Sequence, residues 1–173
     1  MIIYTILSRL LDYPDQELKD NLVTIRKVLA MQTKQLEENE MEELEHFLQH
    51  LQEESLLQLQ QDYVQTFDMV PEHSLHLTHH LFGDDRGRGP ALVDLGEHYK
   101  GMGMEMRTGE IPDYLPLILE YVATLDEMGA RVFLADAAKV LTVLAANLEK
   151  SDSPYAPLLR LIENRGQLAR TAA

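Results

Sequence analysis

Apolar residues recur at three- and four-residue intervals along most of this chain. Ile2, Ile3, Ile6, Leu7, Leu10 and Leu11 fall on one helical face. Tyr13-Pro14 stops that helix, because the residue before a proline avoids the α region. Asp15 then caps a second helix carrying Leu18, Leu22, Ile25 and Leu29. Gln32 to Glu43 is polar and acid-rich and reads as a loop into a third helix with Met41, Leu44, Phe47, Leu48 and Leu51. Ser55 caps a fourth, with Leu56, Leu59, Tyr63 and Phe67 on its buried side.

Pro71 interrupts the pattern. Glu72 to Phe82 reads as a short fifth helix stopped by Gly83. Gly87-Arg88-Gly89-Pro90 is a turn, with Pro90 near the first position of a sixth helix carrying Leu92, Val93, Leu95 and Tyr99. The glycines of Gly101-Met-Gly-Met weaken that helix and end it. Ile111-Pro112-Asp113 opens a seventh, where Pro116 is tolerated only within the first turn. After Gly129 an Ala/Leu/Val-rich helix runs to about Lys150, apolar most of the way round, as a central buried helix would be. Ser153-Pro154 starts the last helix, with Leu158, Leu159, Ile162 and Leu168. No alternating run bounded by hairpin turns is present. The expectation is an all-α, single-domain bundle of about nine helices over residues 1–173.

Composition narrows the function classes. With 173 residues the chain can bury a real core. Its formal net charge of −14 opposes nucleic-acid phosphate and anionic membrane, and favours a basic partner. The longest apolar runs fall short of the ~20 residues a span needs, and the first residues lack a basic region typical of a secretory signal. Without cysteine there is no disulfide framework and no thiol nucleophile. A reducing, cytoplasmic setting is expected.

Polar chemistry concentrates between Tyr63 and Pro116. On a continuous fifth helix, His73, His76 and His80 share a face, with His79 close by. Three imidazoles so spaced suggest zinc, but the helix-borne H-E-x-x-H arrangement is absent. Packing and hydrogen bonding are the expected roles of these rings. The Gly83–Gly89 segment is glycine-rich, yet it lacks the Lys-Ser/Thr ending of a phosphate loop and follows a helix. It reads as a turn in which Asp84 or Asp85 caps nearby amides and Arg86 or Arg88 pairs with a carboxylate. In Glu110-Ile-Pro-Asp-Tyr-Leu-Pro the acids suit a helix dipole, and Glu110 and Asp113 also suit a guanidinium. Met102, Met104 and Met106 either fill core or form an adaptable surface. Ser74 and Thr78 lie near histidines, but no nucleophile elbow surrounds them, so a nucleophilic triad is not supported.

Three ordered blocks carry a family resemblance: Tyr63-x-x-x-Phe67-Asp68-x-x-Pro71-Glu72-x-Ser74-Leu75-x-Leu77, then Gly83-Asp84-x-Arg86-x-Arg88-Gly89, then Pro112-Asp113-Tyr114-Leu115-Pro116-x-x-Leu119-Glu120. With the opening Leu7-Ser8-x-Leu10-Leu11-x-Tyr13-Pro14-Asp15-x-x-Leu18, they resemble the nitrate reductase delta subunit, the NarJ-type molybdenum cofactor assembly chaperones within the wider TorD/DmsD-like group. The resemblance implies a helical cytoplasmic chaperone, not an enzyme, with no cofactor or metal of its own. It would bind the apo catalytic (alpha) subunit of respiratory nitrate reductase, including its N-terminal twin-arginine-like segment. It would assist molybdenum cofactor insertion before membrane attachment, with cofactor biosynthesis proteins as further partners. By position in the blocks, the expected client-binding residues are Tyr63, Phe67, Glu72, His73, His76, Asp84, Arg86, Arg88, Asp113 and Tyr114. The alternatives are service to a dimethyl sulfoxide or trimethylamine N-oxide reductase, and a metal-binding helical domain built on the histidines. Family members often continue into a charged C-terminal region, and Gly87 and Pro90 stand where other residues are usual. A mainly monomeric state is expected.

Overall fold

A computed structural model describes residues 1–32, 36–83, 86–106 and 109–167. Among them run nine α-helices: α1 (Ile2–Leu11), α2 (Gln16–Ala30), α3 (Glu38–Glu53), α4 (Leu56–Tyr63), α5 (Leu77–Phe82), α6 (Arg88–Gly101), α7 (Leu115–Thr124), α8 (Glu127–Lys150) and α9 (Ala156–Gln167). A π-helical turn (Val64–Asp68) continues α4, and a 3-10 turn (Pro71–His73) follows it. The architecture is all-α, as the periodicity predicts. No helix among the described residues is long and apolar enough to cross a membrane.

Local signals set the helix starts. The Asp15 carboxylate accepts from Leu18 N at 2.8 Å, Ser55 Oγ from Gln58 N at 3.2 Å, and Asp126 from Gly129 N at 2.7 Å. Each satisfies an amide that the first turn leaves without a partner. Asp126 therefore starts α8 at Glu127, so Gly129 sits inside its first turn rather than before it. Pro14 ends α1 as expected.

Packing pairs α1 with α7 and α8 with α9, and lays α2 on α3. Ile3, Leu7 and Leu11 of α1 meet a core that includes Leu115, Leu119 and Val122 of α7. Full burial of each such side chain stabilises by about 1.5–3 kcal/mol. Ser8 Oγ donates to Pro116 O at 2.8 Å in this interior and so pins α1 to the start of α7. At Gly166 an added Cβ would lie 2.9 Å from Leu134 O, so α9 crosses α8 at backbone contact distance.

Two expectations need correction. α8 is not buried most of the way round. Its buried positions, Ala130, Leu134, Ala138, Val140, Leu141, Leu144, Ala145 and Leu148, lie on one side, while Met128, Val132 and Val143 are exposed. The fifth helix is also not continuous from Glu72. After the 3-10 turn, Ser74–His76 is non-helical, and His76 forms an isolated antiparallel bridge with Tyr114. Leu77 N donates to Asp113 O at 3.0 Å and Leu115 N to Leu75 O at 2.9 Å. These long-range bonds take the backbone groups that a helix would have used, so α5 starts only at Leu77. On the other side of the bridge, α7 opens at Leu115 rather than Ile111, with Pro116 in its first turn.

Candidate functional site

The bridge brings the first and third sequence blocks together around one carboxylate. Asp113 is fully buried. Its Oδ1 lies 3.0 Å from His76 Nδ1, and its Oδ2 accepts from Thr78 N at 3.1 Å and from the Thr78 hydroxyl. Arg88, from the second block, donates through Nε to Thr78 Oγ1 at 3.0 Å and places another nitrogen 3.7 Å from Asp113 Oδ2. Burial by itself would raise the pKa of this carboxyl. The hydrogen bonds from His76 and Thr78 outweigh burial and hold it below the usual carboxylate value. The expected pairing of Arg88 with a carboxylate is thus made within the chain, to Asp113 itself.

A tyrosine cluster adjoins this joint. The Tyr63 and Tyr114 hydroxyls lie 2.7 Å apart. Tyr63 donates to Leu11 O at 3.0 Å, and Tyr114 OH lies 3.1 Å from Asp12 Oδ1. Residues at the end of α1, the end of α4 and the start of α7 meet here. Burial, more than any neighbour, pushes both phenols well above their ordinary pKa, so both stay protonated donors at neutral pH. The Tyr63 ring also packs on Phe67, with centroids 4.8 Å apart.

The remaining expected residues fall into two groups. Tyr63, Phe67, His73 and Asp113 are buried. Their side chains face the interior, His73 through a 3.1 Å contact of Nδ1 with Thr66 O. Glu72 and Arg86 are exposed, and His76, Arg88 and Tyr114 are half-buried. The main-chain carbonyl of Glu72 accepts from Asn147 Nδ2 at 3.1 Å. Asp84 lies outside the described residues. The histidines share no helical face: His76 bonds Asp113, His73 meets Thr66, and His80 Nε2 lies 2.7 Å from Ser74 O. Among the described residues no group of three His, Cys, Asp or Glu converges to hold a metal ion, which removes the geometric basis of the histidine-metal reading. Of the methionines, Met104 and Met106 pack on the core and Met102 is exposed.

Sequence reasoning missed Asp12 and Thr78. Both bond to block residues more than thirty positions away, and neither local sequence announces it.

The fold and site together define an all-helical protein whose ordered motif residues form a polar joint between helices. Its family follows from comparison: the model of the nitrate reductase delta subunit family matches residues 15–160, and the chain belongs to that family. It is 38% identical over 172 residues to the nitrate reductase molybdenum cofactor assembly chaperone NarJ of Escherichia coli K12, covering 99% of this chain and 71% of that protein. It is 33% identical over 162 residues to the probable nitrate reductase molybdenum cofactor assembly chaperone NarJ of Bacillus subtilis, covering 93% of this chain and 86% of the relative. The probable chaperone NarW of Escherichia coli K12 is 32% identical over 159 residues.

Proposed function

We propose that this chain is a single-domain cytoplasmic assembly chaperone for a respiratory nitrate reductase, with no catalytic step of its own. It binds the apo catalytic subunit, engages that subunit's N-terminal twin-arginine-like segment, and assists molybdenum cofactor insertion before the enzyme attaches to the membrane. The observation that carries this reading is the likeness, over nearly the whole chain, to relatives named as nitrate reductase molybdenum cofactor assembly chaperones.

Physical features support it. The net charge of −14 attracts a basic segment and steers it in. Leu81 and Phe82 on α5 and Val93 on the neighbouring α6 stand exposed, beside the motif blocks in sequence. Such side chains suit the apolar face of an amphipathic helix laid along the surface. In this reading Glu72, Arg86, His76, Arg88 and Tyr114 contact the client, with Asp84 in the same turn of sequence. Tyr63, Phe67, His73 and Asp113 hold those contacts in place from the interior.

The test is calorimetric titration with a peptide copying the N-terminus of a nitrate reductase catalytic subunit, at low and at physiological ionic strength. The expected result is micromolar or tighter binding that weakens as salt screens the charges. Absence of binding at both salts, with binding of a dimethyl sulfoxide or trimethylamine N-oxide reductase peptide, would assign the chaperone to a different client.

A further inference from the structure

A second polar feature lies near the aromatic cluster of Tyr63, Phe67 and Tyr155. A cleft of about 320 Å³ opens between the π-helical turn, the 3-10 turn and the α8–α9 connection. Among the described residues its lining includes Asp62, Asp152, His50, His73 and Tyr155, and no lysine or arginine. Tyr155 is 97% buried, at 3% relative exposure. Its ring is wedged against Phe67 at 4.8 Å, Phe47 at 5.1 Å and Tyr63 at 6.0 Å. Its hydroxyl makes no hydrogen bond within the described residues, whereas the buried phenols Tyr63 and Tyr99 each donate to a carbonyl and that of Tyr121 meets His98 Nε2. The hydroxyl oxygen is not sealed from solvent, so it opens on the cleft while the ring stays in the core. Burial first, and then the nearby Asp62 charge, push its pKa up, so the hydroxyl remains protonated.

The acids have acceptor capacity to spare, Asp152 exposed and Asp62 half-buried. Asp62 accepts from Gln58 Nε2 at 2.8 Å through Oδ1 only. Asp152 sits at φ 51 in the α8–α9 turn, and its carboxylate has no hydrogen-bond or ion-pair partner among the described residues. His73 Nδ1 is occupied by Thr66 O. The cleft therefore offers acceptors from several directions and no resident cation of fixed charge. Its volume is at the small end of ligand sites, which run from about 300 to 1,000 Å³. One long side chain fits it better than a cofactor does. A guanidinium, with five donors in a planar fork, matches two carboxylates and a hydroxyl; an ammonium, with three donors at a point, matches them less well.

We propose that this cleft is an arginine subsite for the client segment, with Asp62, Asp152 and the Tyr155 hydroxyl oxygen all accepting from the guanidinium. The proposal rests on the client-peptide reading above. It places one arginine of the peptide at Asp62, Asp152 and Tyr155, residues the sequence blocks do not contain.

Two titrations on the full chain test it. The first adds arginine amide to isotope-labelled protein and follows backbone amide shifts. Saturable shifts at Asp62, Gln65, Ser151, Asp152, Ser153 and Tyr155, lost in a D62N/D152N variant, are expected. The second measures binding of the catalytic-subunit peptide to wild type, Asp62→Asn, Asp152→Asn and Tyr155→Phe. Asparagine tolerates the left-handed backbone at position 152, and phenylalanine keeps the ring packing. Each change should weaken binding about tenfold, or about 1.4 kcal/mol. Glu17→Gln, an exposed acid outside the cleft, should change it less than about twofold. Replacing the peptide's arginines by citrulline should remove the difference between wild type and variants. Equal peptide affinity across the variants, or arginine-amide shifts only elsewhere, would overturn the subsite. If the peptide binds no form of the protein, the client reading fails by itself, and the arginine-amide shifts still decide the cleft.

Discussion

Substituting Asp113 by alanine tests the claim that one buried carboxylate ties the sequence blocks together. The change removes the acceptor of Thr78 N, at 3.1 Å, and of the Thr78 hydroxyl, both in the interior. Each stranded donor costs about 1–3 kcal/mol. His76 loses its 3.0 Å partner as well, but its half-exposed ring can turn to water. Arg88 is 29% exposed and can also rehydrate, which lowers the cost below that of a fully buried broken pair. The sum is a destabilisation of about 3–5 kcal/mol, or roughly 6–20 °C in Tm at about 2–4 °C per kcal/mol for a chain of this size. Asp113→Asn separates charge from shape: it keeps an acceptor for Thr78 and should cost about 1–2 kcal/mol. The pH dependence has a definite sign. Because the folded pKa of Asp113 is depressed, its stabilisation is present above the unfolded carboxyl pKa, about 3.9, and is lost as pH falls through the lower folded value. Urea unfolding of wild type and both variants, at pH 7 and at steps down through pH 4, measures this. The gap between wild type and Asp113→Asn should close only at the acid end. An Asp113→Ala variant within about 0.5 kcal/mol of wild type, or a gap that persists unchanged in acid, would refute the reasoning.

Three further outcomes are expected. Gly166→Ala should destabilise by about 1–2 kcal/mol despite alanine's better helix propensity, because its Cβ would meet the Leu134 backbone at 2.9 Å; chemical denaturation reads the sign directly. Tyr63→Phe keeps the ring contacts but removes the hydroxyl between Leu11 O and Tyr114, and should cost about 1 kcal/mol in a thermal melt, with Tyr114→Phe non-additive to it. Asp15→Ala removes the α2 cap and should cost about 1 kcal/mol near neutral pH. The Leu18 amide, and then Arg9, hold the Asp15 pKa down, so this difference should persist down to the ordinary carboxylate range and vanish below it in pH-stepped unfolding.

What the sequence alone determined is what neighbours within a few residues control. The stripe from Ile2 to Leu11, the stop at Pro14, and the caps at Asp15 and Ser55 all appear where the spacing puts them. A cap and a helical face need only the next three or four residues, so their physics is written locally. The ordered blocks likewise told which residues to watch, though not what each would touch. Tertiary structure decided the rest. Glu72 to Phe82 carries a helical pattern, but Leu75 and Leu77 meet backbone partners near position 114, and those long-range bonds outcompete the local ones. The histidines thereby leave their shared face. The Asp113 carboxylate, well placed by sequence for an external guanidinium, turns inward and finds Arg88 of the same chain. Tyr155 offers no local sign of its role, because its surroundings come from α3, α4 and the π-helical turn, about ninety or more residues away. Which acid is buried, which is exposed and which lines a cleft depends on chain segments that only folding brings together.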